Sequence, residues 1–184
     1  MFRCSEAKWH RLAASANRAT RPVLILSRPQ GNLNVMPIEP RRRARLIPEL
    51  LVSDIAISLR FWCGVLGFAI KYDRPEEGFA YLELAGAEVM LEQRAPVRTE
   101  REAAWETGPM ERPFGRGINL EIQVDDLTWH TAHLESAGVA LRLGPEEKWY
   151  RAGYNETGVR QLLVQDPDGY LIRLQQTIGM RPAM

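Results

Sequence analysis

Polar and apolar residues alternate strictly along INLEIQV, residues 118–124. One set of alternate positions is Ile, Leu, Ile and Val, and the set between them is Asn, Glu and Gln. This period of two predicts a strand that buries one face and leaves a polar face. The next segment places Asp126 as a helix N-cap and ends at Gly138, which predicts a helix of about three turns.

The same pattern occurs earlier in the chain. PELLVSDIAISLRFWCGVLGFAI (48–70) matches LEIQVDDLTWHTAHLESAGVAL (120–141), 72 residues later. The paired positions are Glu49 with Glu121, Val52 with Val124, Asp54 with Asp126, and, after one deletion, Gly67-Phe68-Ala69 with Gly138-Val139-Ala140. A repeat of this length predicts one supersecondary module used twice.

A hairpin follows each predicted helix. Residues 82–93 and 162–176 alternate around a turn, and Pro167 and Gly169 suit the second turn. If 68–73 and its counterpart near 139–143 supply one more strand, each module is βαβββ. We therefore predict an α+β fold, in which two paired βαβββ modules form a cupped mixed sheet with helices outside.

These boundaries divide the chain into three parts. Residues 46–176 form one domain, with module one at 46–93, a connection at 94–117 and module two at 118–176. Residues 177–184 are expected to be a C-terminal tail. The basic segment 1–45 is expected to be an extension, either without fixed order or produced by a start codon assigned too far upstream.

Charge is distributed unevenly. Residues 1–45 hold ten Lys/Arg against two Asp/Glu, which leaves 46–184 with a net charge of −7. An acidic domain does not favour nucleic acid, whose phosphates need clustered cations, but it suits a cationic small molecule. No apolar run approaches the roughly 20 residues of a membrane span. Two cysteines are too few for a disulfide framework, so we expect a reducing cytoplasm.

These motifs together resemble the vicinal oxygen chelate superfamily, which includes glyoxalase I, extradiol dioxygenases and bleomycin resistance proteins. The resemblance rests on LLVSDIAISLRFWCGVLGF, VMLEQ, EIQVDDLTWHTAHLESAGV and VQDPDGYLIRLQQ, and it spans about residues 46–176. It implies paired βαβββ modules around a cavity.

Metal-dependent members of that superfamily resemble one another in carrying His, Glu or Gln at four strand positions. Carried over to this chain, the positions are Ile47, Met90, Asn119 and Arg173. None of these residues suits a divalent metal, and Arg173 brings its own positive charge. The resemblance therefore implies no metal and no other cofactor at this site. His130 and His133 lie three apart on one predicted helix, and we interpret them as packing and surface residues.

Without metal ligands, the chain is most similar to bleomycin resistance proteins. That likeness implies a homodimer that sequesters bleomycin or another cationic or aromatic compound in crevices at its interface. Arg173 is predicted to bind the inward carboxylates of Glu49 and Glu121. The predicted ligand-binding residues are Trp105, Phe114, Trp149, Tyr150, Glu49, Glu121 and Arg173.

The aromatic candidates lie in two segments that we expect to be loops, 94–117 and 144–158. Stacked rings beside Glu146, Glu147 and Glu156 would hold a planar cation. The same rings could instead anchor the loops or bury a dimer contact.

Two other functions stay open. The first is an enzyme of the same superfamily, either a glyoxalase-like lyase or isomerase or a dioxygenase, in which Glu49, Glu92 or Glu121 would transfer protons in the absence of a metal. The second is a non-catalytic module whose exposed aromatic residues contact another protein.

Overall fold

The computed structural model describes residues 44–95 and 99–183, except for the side chains of Glu102 and Ala103. Nearly all of the predicted extension, residues 1–43, lies outside them. The strands are β1 Glu49–Val52, β2 Ala69–Arg74, β3 Phe79–Leu84, β4 Ala87–Gln93, β5 Asn119–Gln123, β6 Leu141–Ala152, β7 Asn155–Gln165 and β8 Leu171–Pro182. The helices are α1 Ile55–Leu59, continued by a π-helical segment Arg60–Val65, then α2 Glu100–Ala103 and α3 Leu127–Ser136, with a 3₁₀ turn at Pro75–Glu77.

The strands form two four-stranded sheets of identical topology, β1-β4-β3-β2 and β5-β8-β7-β6. In each sheet the first strand is parallel to the last, and the other neighbours are antiparallel. Glu49 lies opposite Met90, and Glu121 lies opposite Arg173, so the register repeats in the two modules. The predicted α+β class and the two βαβββ modules are confirmed.

Both main helices begin at the predicted caps. Asp54 accepts a hydrogen bond from the Ile57 N–H at 2.9 Å, and Asp126 accepts from Thr128 and Trp129. The first helix widens in its second half, where the Leu66 N–H bonds the Phe61 carbonyl five residues back, which is the π-helical pattern.

One hydrophobic core serves both modules. It joins apolar residues of α1 and its π-helical continuation, α3 and the inner faces of both sheets, among them Trp62, Leu66, Ile122, Leu134 and Leu174. Each helix therefore packs on the core side of its sheet, and the opposite side of each sheet is left for other contacts.

The DPDG turn between β7 and β8 connects the modules. Asp166 accepts a hydrogen bond from the Trp62 indole N–H at 3.2 Å, and Asp168 accepts from the Ser53 N–H at 3.0 Å. Arg112 of the connection donates to the second oxygen of Asp168 at 2.7 Å. These buried carboxylates fix the position of module one against module two.

Two boundaries differ from the sequence predictions. The expected loop 144–158 is a hairpin made by β6 and β7, because Lys148-Trp149-Tyr150 favours extended backbone and Gly153 permits the turn. The expected tail 177–184 is strand through Pro182, because residues 177–182 pair with Asn155–Val159 of β7. The second sheet is therefore longer than predicted.

No helix among the described residues is both long and apolar enough to cross a membrane.

Candidate functional site

The side of the second sheet that faces away from the core is polar. Ile122 and Leu174 point into the core, so the alternate residues Glu121 and Arg173 occupy the other side. We call this surface the polar face, and its polar residues include Asn119, Glu121, Gln123, Glu146, Lys148, Tyr150, Gln161, Arg173 and Gln175.

Arg173 lies near the middle of the polar face. Its guanidinium pairs with the Glu121 carboxylate on the neighbouring strand, and Gln175 donates to the other Glu121 oxygen. The Arg173 side chain is 24% exposed, and its buried Nε has no hydrogen-bond partner. The pair therefore combines a fixed cation with a carboxylate that remains 41% exposed to a ligand.

The network continues towards β6. Gln161 is buried and donates from its side-chain amide to Glu146 at 2.9 Å, and the Tyr150 hydroxyl lies 3.0 Å from the same amide nitrogen. Tyr150 is 40% exposed, so its ring stays accessible on this face. The structure thus places Tyr150, Glu121 and Arg173 on one surface.

The four positions at which the resemblance would place metal ligands do not suit a metal. Ile47 precedes β1 and has no side-chain atom that could bind a metal, and Met90 has only a thioether. Arg173 is a cation that is already paired with Glu121. Asn119 provides one neutral amide. Within residues 44–95 and 99–183, no three His, Cys, Asp or Glu side chains are grouped so that they could hold a metal ion.

The corresponding side of the first sheet is aromatic and acidic. Ala80 and Leu82 enter the core, so the buried rings of Phe79 and Tyr81 lie on the other side. Tyr72 stacks on both, with centroid distances of 6.0 and 4.9 Å.

Glu88 is the most strongly held carboxylate on this side. Hydrogen bonds from Lys71, Tyr81 and the Ala44 N–H lower the pKa of Glu88 from 4.5 to about 2. Glu88 is therefore an anion over the whole physiological range.

Glu49 lies beside Glu92 on the same side. Burial, and then the neighbouring Glu92 carboxyl, raise the pKa of Glu49. Arg173 contacts Glu121, but no contact between Arg173 and Glu49 occurs in the part of the chain that the structure describes. The expectation that Arg173 binds both carboxylates is wrong for Glu49, because Glu49 lies in the first sheet opposite Met90, whereas Arg173 lies in the second sheet opposite Glu121.

A crevice of about 320 Å³ lies between the modules, next to Glu121. Its walls are apolar, with Leu46, Trp62, Phe68, Val89 and Ile122 among them. Glu88, Asn119 and Glu121 are polar residues of the same lining. An apolar cavity with a few polar groups is the usual form of a small-molecule site.

The other predicted aromatic residues do not join the polar face. Trp105 is 77% exposed in the connection after α2, and Phe114 packs against the core. Trp149 covers Gly158 on the opposite side of β6 from Tyr150, and Arg181 stacks over its ring at 4.1 Å. Neighbouring residues of a strand face opposite ways, so Trp149 and Tyr150 cannot bind one ligand from the same surface.

Sequence reasoning missed Glu88, Gln161 and the ring stack of Tyr72 with Phe79 and Tyr81. The signal was present, since FAYLEL places Phe79, Tyr81 and Glu83 at alternate positions and so on one face of a strand.

Comparison with known proteins agrees with this architecture. The family model described as Glyoxalase/Bleomycin resistance protein/Dioxygenase superfamily matches residues 46–174. No curated protein matches the chain significantly.

Among solved structures, TioX from Micromonospora sp. ML1 is 20% identical with a TM-score of 0.55, over 73% of this chain and 99% of that one. An integron cassette protein from the mobile metagenome of Vibrio cholerae is 24% identical with a TM-score of 0.52, over 71% and 91%. A member of the matched superfamily from Vibrio splendidus 12B01 is 37% identical with a TM-score of 0.32, over 71% and 95%.

Proposed function

Since this chain belongs to the glyoxalase/bleomycin resistance protein/dioxygenase superfamily, we propose that it is a small-molecule binding protein that uses no metal at the family's usual position. It binds a cationic or aromatic compound, bleomycin-like in chemistry, against the polar face and sequesters it unaltered. The protein acts as a homodimer, and the second copy extends the binding surface.

The observation that carries the proposal is the Arg173–Glu121 pair. Arg173 fills one of the four positions with a permanent cation, and its partner Glu121 keeps two-fifths of its surface exposed. A carboxylate with a fixed orientation is a good partner for a ligand cation because little side-chain entropy remains to be lost on binding.

The surroundings support the same ligand class. Glu121 is shared between the polar face and the crevice, whose apolar walls can bury a ring system. Glu88 adds a second anion, and the exposed ring of Tyr150 lies farther along the polar face. A ligand with a planar apolar part and a positive charge satisfies both kinds of surface.

The test is calorimetric titration of EDTA-treated protein with metal-free and copper-loaded bleomycin. We expect saturable binding at one drug per subunit, and Glu121→Gln should weaken it about tenfold, which is the effect of one charged contact. Glu135→Gln is the matched control, because it makes the same charge change at an exposed residue of α3, on the helix side of the sheet. Absence of saturable binding, or equal weakening by both variants, would contradict the proposal.

A second candidate function is metal-free proton transfer by an enzyme of the same superfamily, and the raised pKa of Glu49 beside Glu92 favours it. A carboxylate of this kind can remove a proton next to a carbonyl group. Hydrogen exchange of carbonyl compounds in D₂O, followed by NMR, measures this activity. Exchange that Glu49→Gln abolishes would support the enzyme, and exchange that is no faster than in buffer would exclude this version.

A further inference from the structure

Strand β6 forms a free edge of the second sheet. Within residues 44–95 and 99–183 the strand order is β5-β8-β7-β6, so in this part of the chain β6 pairs with β7 on one side only. Glu147, Lys148, Tyr150 and Arg151 are exposed, and Trp149 is partly buried. An edge strand presents unpaired N–H and C=O groups, which makes it a template for another strand.

The charges along β6 suit a second copy of the same strand. A twofold axis perpendicular to the sheet keeps each side chain on its own face, so only residues an even number apart can lie opposite each other. An axis at Glu147 or Lys148 sets like charges opposite each other, and an axis at Tyr150 leaves Glu147 without an opposite charge. An axis at Trp149 sets Glu147 opposite Arg151 and Lys148 opposite Tyr150, twice in the pair.

Residues that lie opposite one another across the neighbouring strands extend this charge complementarity. Arg151 lies opposite Glu156 of β7, and Glu156 lies opposite Arg181 of β8, with which it forms a 2.7 Å ion pair. Glu147 lies opposite Arg160 of β7. With the axis at Trp149, one row reads Arg181, Glu156, Arg151, then Glu147 and Arg160 of the second copy. The sign of the charge alternates at every step.

This arrangement uses the part of the sheet that extends past the family match. The matched range ends at residue 174, whereas β8 continues to Pro182 and supports the far ends of β6 and β7. Arg181 covers Trp149 there, and Trp149 fills the space over Gly158. The extension thereby supports the outer half of β6 through the paired residues of β7.

We propose that β6 pairs antiparallel with β6 of a second copy about a twofold axis at Trp149. The inference rests on the proposed homodimer and names the surface that forms it. The second sheet of one copy and the second sheet of the other then form one eight-stranded sheet with a continuous polar face. Tyr150 and Glu146 of both copies then lie next to one another on this continuous face, on either side of the axis.

Register-specific crosslinking tests the contact. In a Cys4→Ser, Cys63→Ala background, the full chain carrying Glu147→Cys and Arg151→Cys should form interchain disulfides on mild oxidation. Each single variant serves as a control. Its two cysteines, one in each copy, lie four residues apart along the paired strands. That distance is roughly 13 Å, beyond the limit of about 7 Å for Cα atoms joined by a disulfide. Mixing the two single variants should restore the crosslink.

Sedimentation equilibrium gives the mass without any ligand. We expect a dimer, a rise of about tenfold in its dissociation constant with Glu147→Lys, and no change with the exposed control Glu76→Lys. A monomer, or a dimer without the register-specific crosslink, would overturn the β6 contact. A β6 dimer that binds no drug would instead leave this contact established and refute the proposed ligand.

Discussion

Arg173 of β8 and Glu121 of β5 form an ion pair across neighbouring parallel strands, at a position where metal-dependent relatives would carry a ligand. The equivalent pair in the first sheet is Met90 with Glu49, and it cannot form an ion pair. Glu49 is instead left beside Glu92, and burial, followed by this neighbouring carboxyl group, raises the pKa of Glu49. The difference between Met90 and Arg173 at the same repeat position thus gives the second sheet an ion pair and leaves the first sheet with two neighbouring carboxyl groups.

Replacing Arg173 tests whether the pair stabilises the sheet. Arg173→Ala should lower the free energy of unfolding by ~1 kcal/mol, a value reduced for the exposure of Glu121. Arg116→Ala is the control, because Arg116 makes only exposed contacts, an ion pair with Glu111 at 3.7 Å and a hydrogen bond to the Arg112 carbonyl at 2.8 Å. Equal losses in urea unfolding would show that the pair contributes no more than a surface contact does.

The Glu88 carboxylate should make the free energy of unfolding depend on pH in the acidic range. Its pKa is lowered to about 2 in the fold by hydrogen bonds from Lys71 and Tyr81, against 4.5 for an unperturbed Glu. A lowered carboxyl pKa stabilises the fold above pH 4.5, and this contribution is lost as the pH falls from 4.5 towards 2. The difference in unfolding free energy between the wild type and Glu88→Gln should therefore shrink over that interval. A difference that stays constant with pH would contradict the assignment.

Much of the fold could be predicted because its signals are local and occur twice. Asp54 and Asp126 cap their helices as expected, and the repeat correctly paired Met90 with Arg173. Residues 144–158 were assigned to a loop because Gly, Pro and charged residues dominate them. The long partner strand β7 overrides that composition and holds the segment extended.

The candidate site was only partly predictable, since it depends on which face a residue occupies. Glu121 and Arg173 were correctly expected to meet, because alternation places both on one face of adjacent strands. Trp149 and Tyr150 were grouped because both are aromatic neighbours in the sequence, yet a strand turns them to opposite sides. Their roles in ligand binding, like that of Trp105, remain predictions.

The buried Asp168 carboxylate, which joins the two modules, should contribute more to the free energy of unfolding than its exposed partner Arg112. Asp168 is buried and accepts hydrogen bonds from Ser53 and from Arg112, whose own side chain is 58% exposed. Asp168→Ala removes the buried acceptor and should cost about 2 kcal/mol in urea unfolding. Arg112→Ala should cost less than about 1 kcal/mol, because water can replace an exposed cation. The reverse order would mean that the connection, and not the contact between modules, depends on this carboxylate.

Gly158 tests the packing at the outer end of the second sheet. A Cβ at this position would lie 2.7 Å from the Trp149 ring, closer than real contacts allow, so Gly158→Ala must displace the indole from under Arg181. Overpacking of this kind costs about 1–3 kcal/mol. The matched control is Gly64→Ala, where nothing lies within 4 Å of the added methyl group and a helical backbone favours alanine. Thermal unfolding should therefore show a lower midpoint for Gly158→Ala and an equal or higher one for Gly64→Ala. If β6 forms the dimer contact, the displaced Trp149 should also weaken association, whereas Gly64→Ala should leave the dimer mass unchanged.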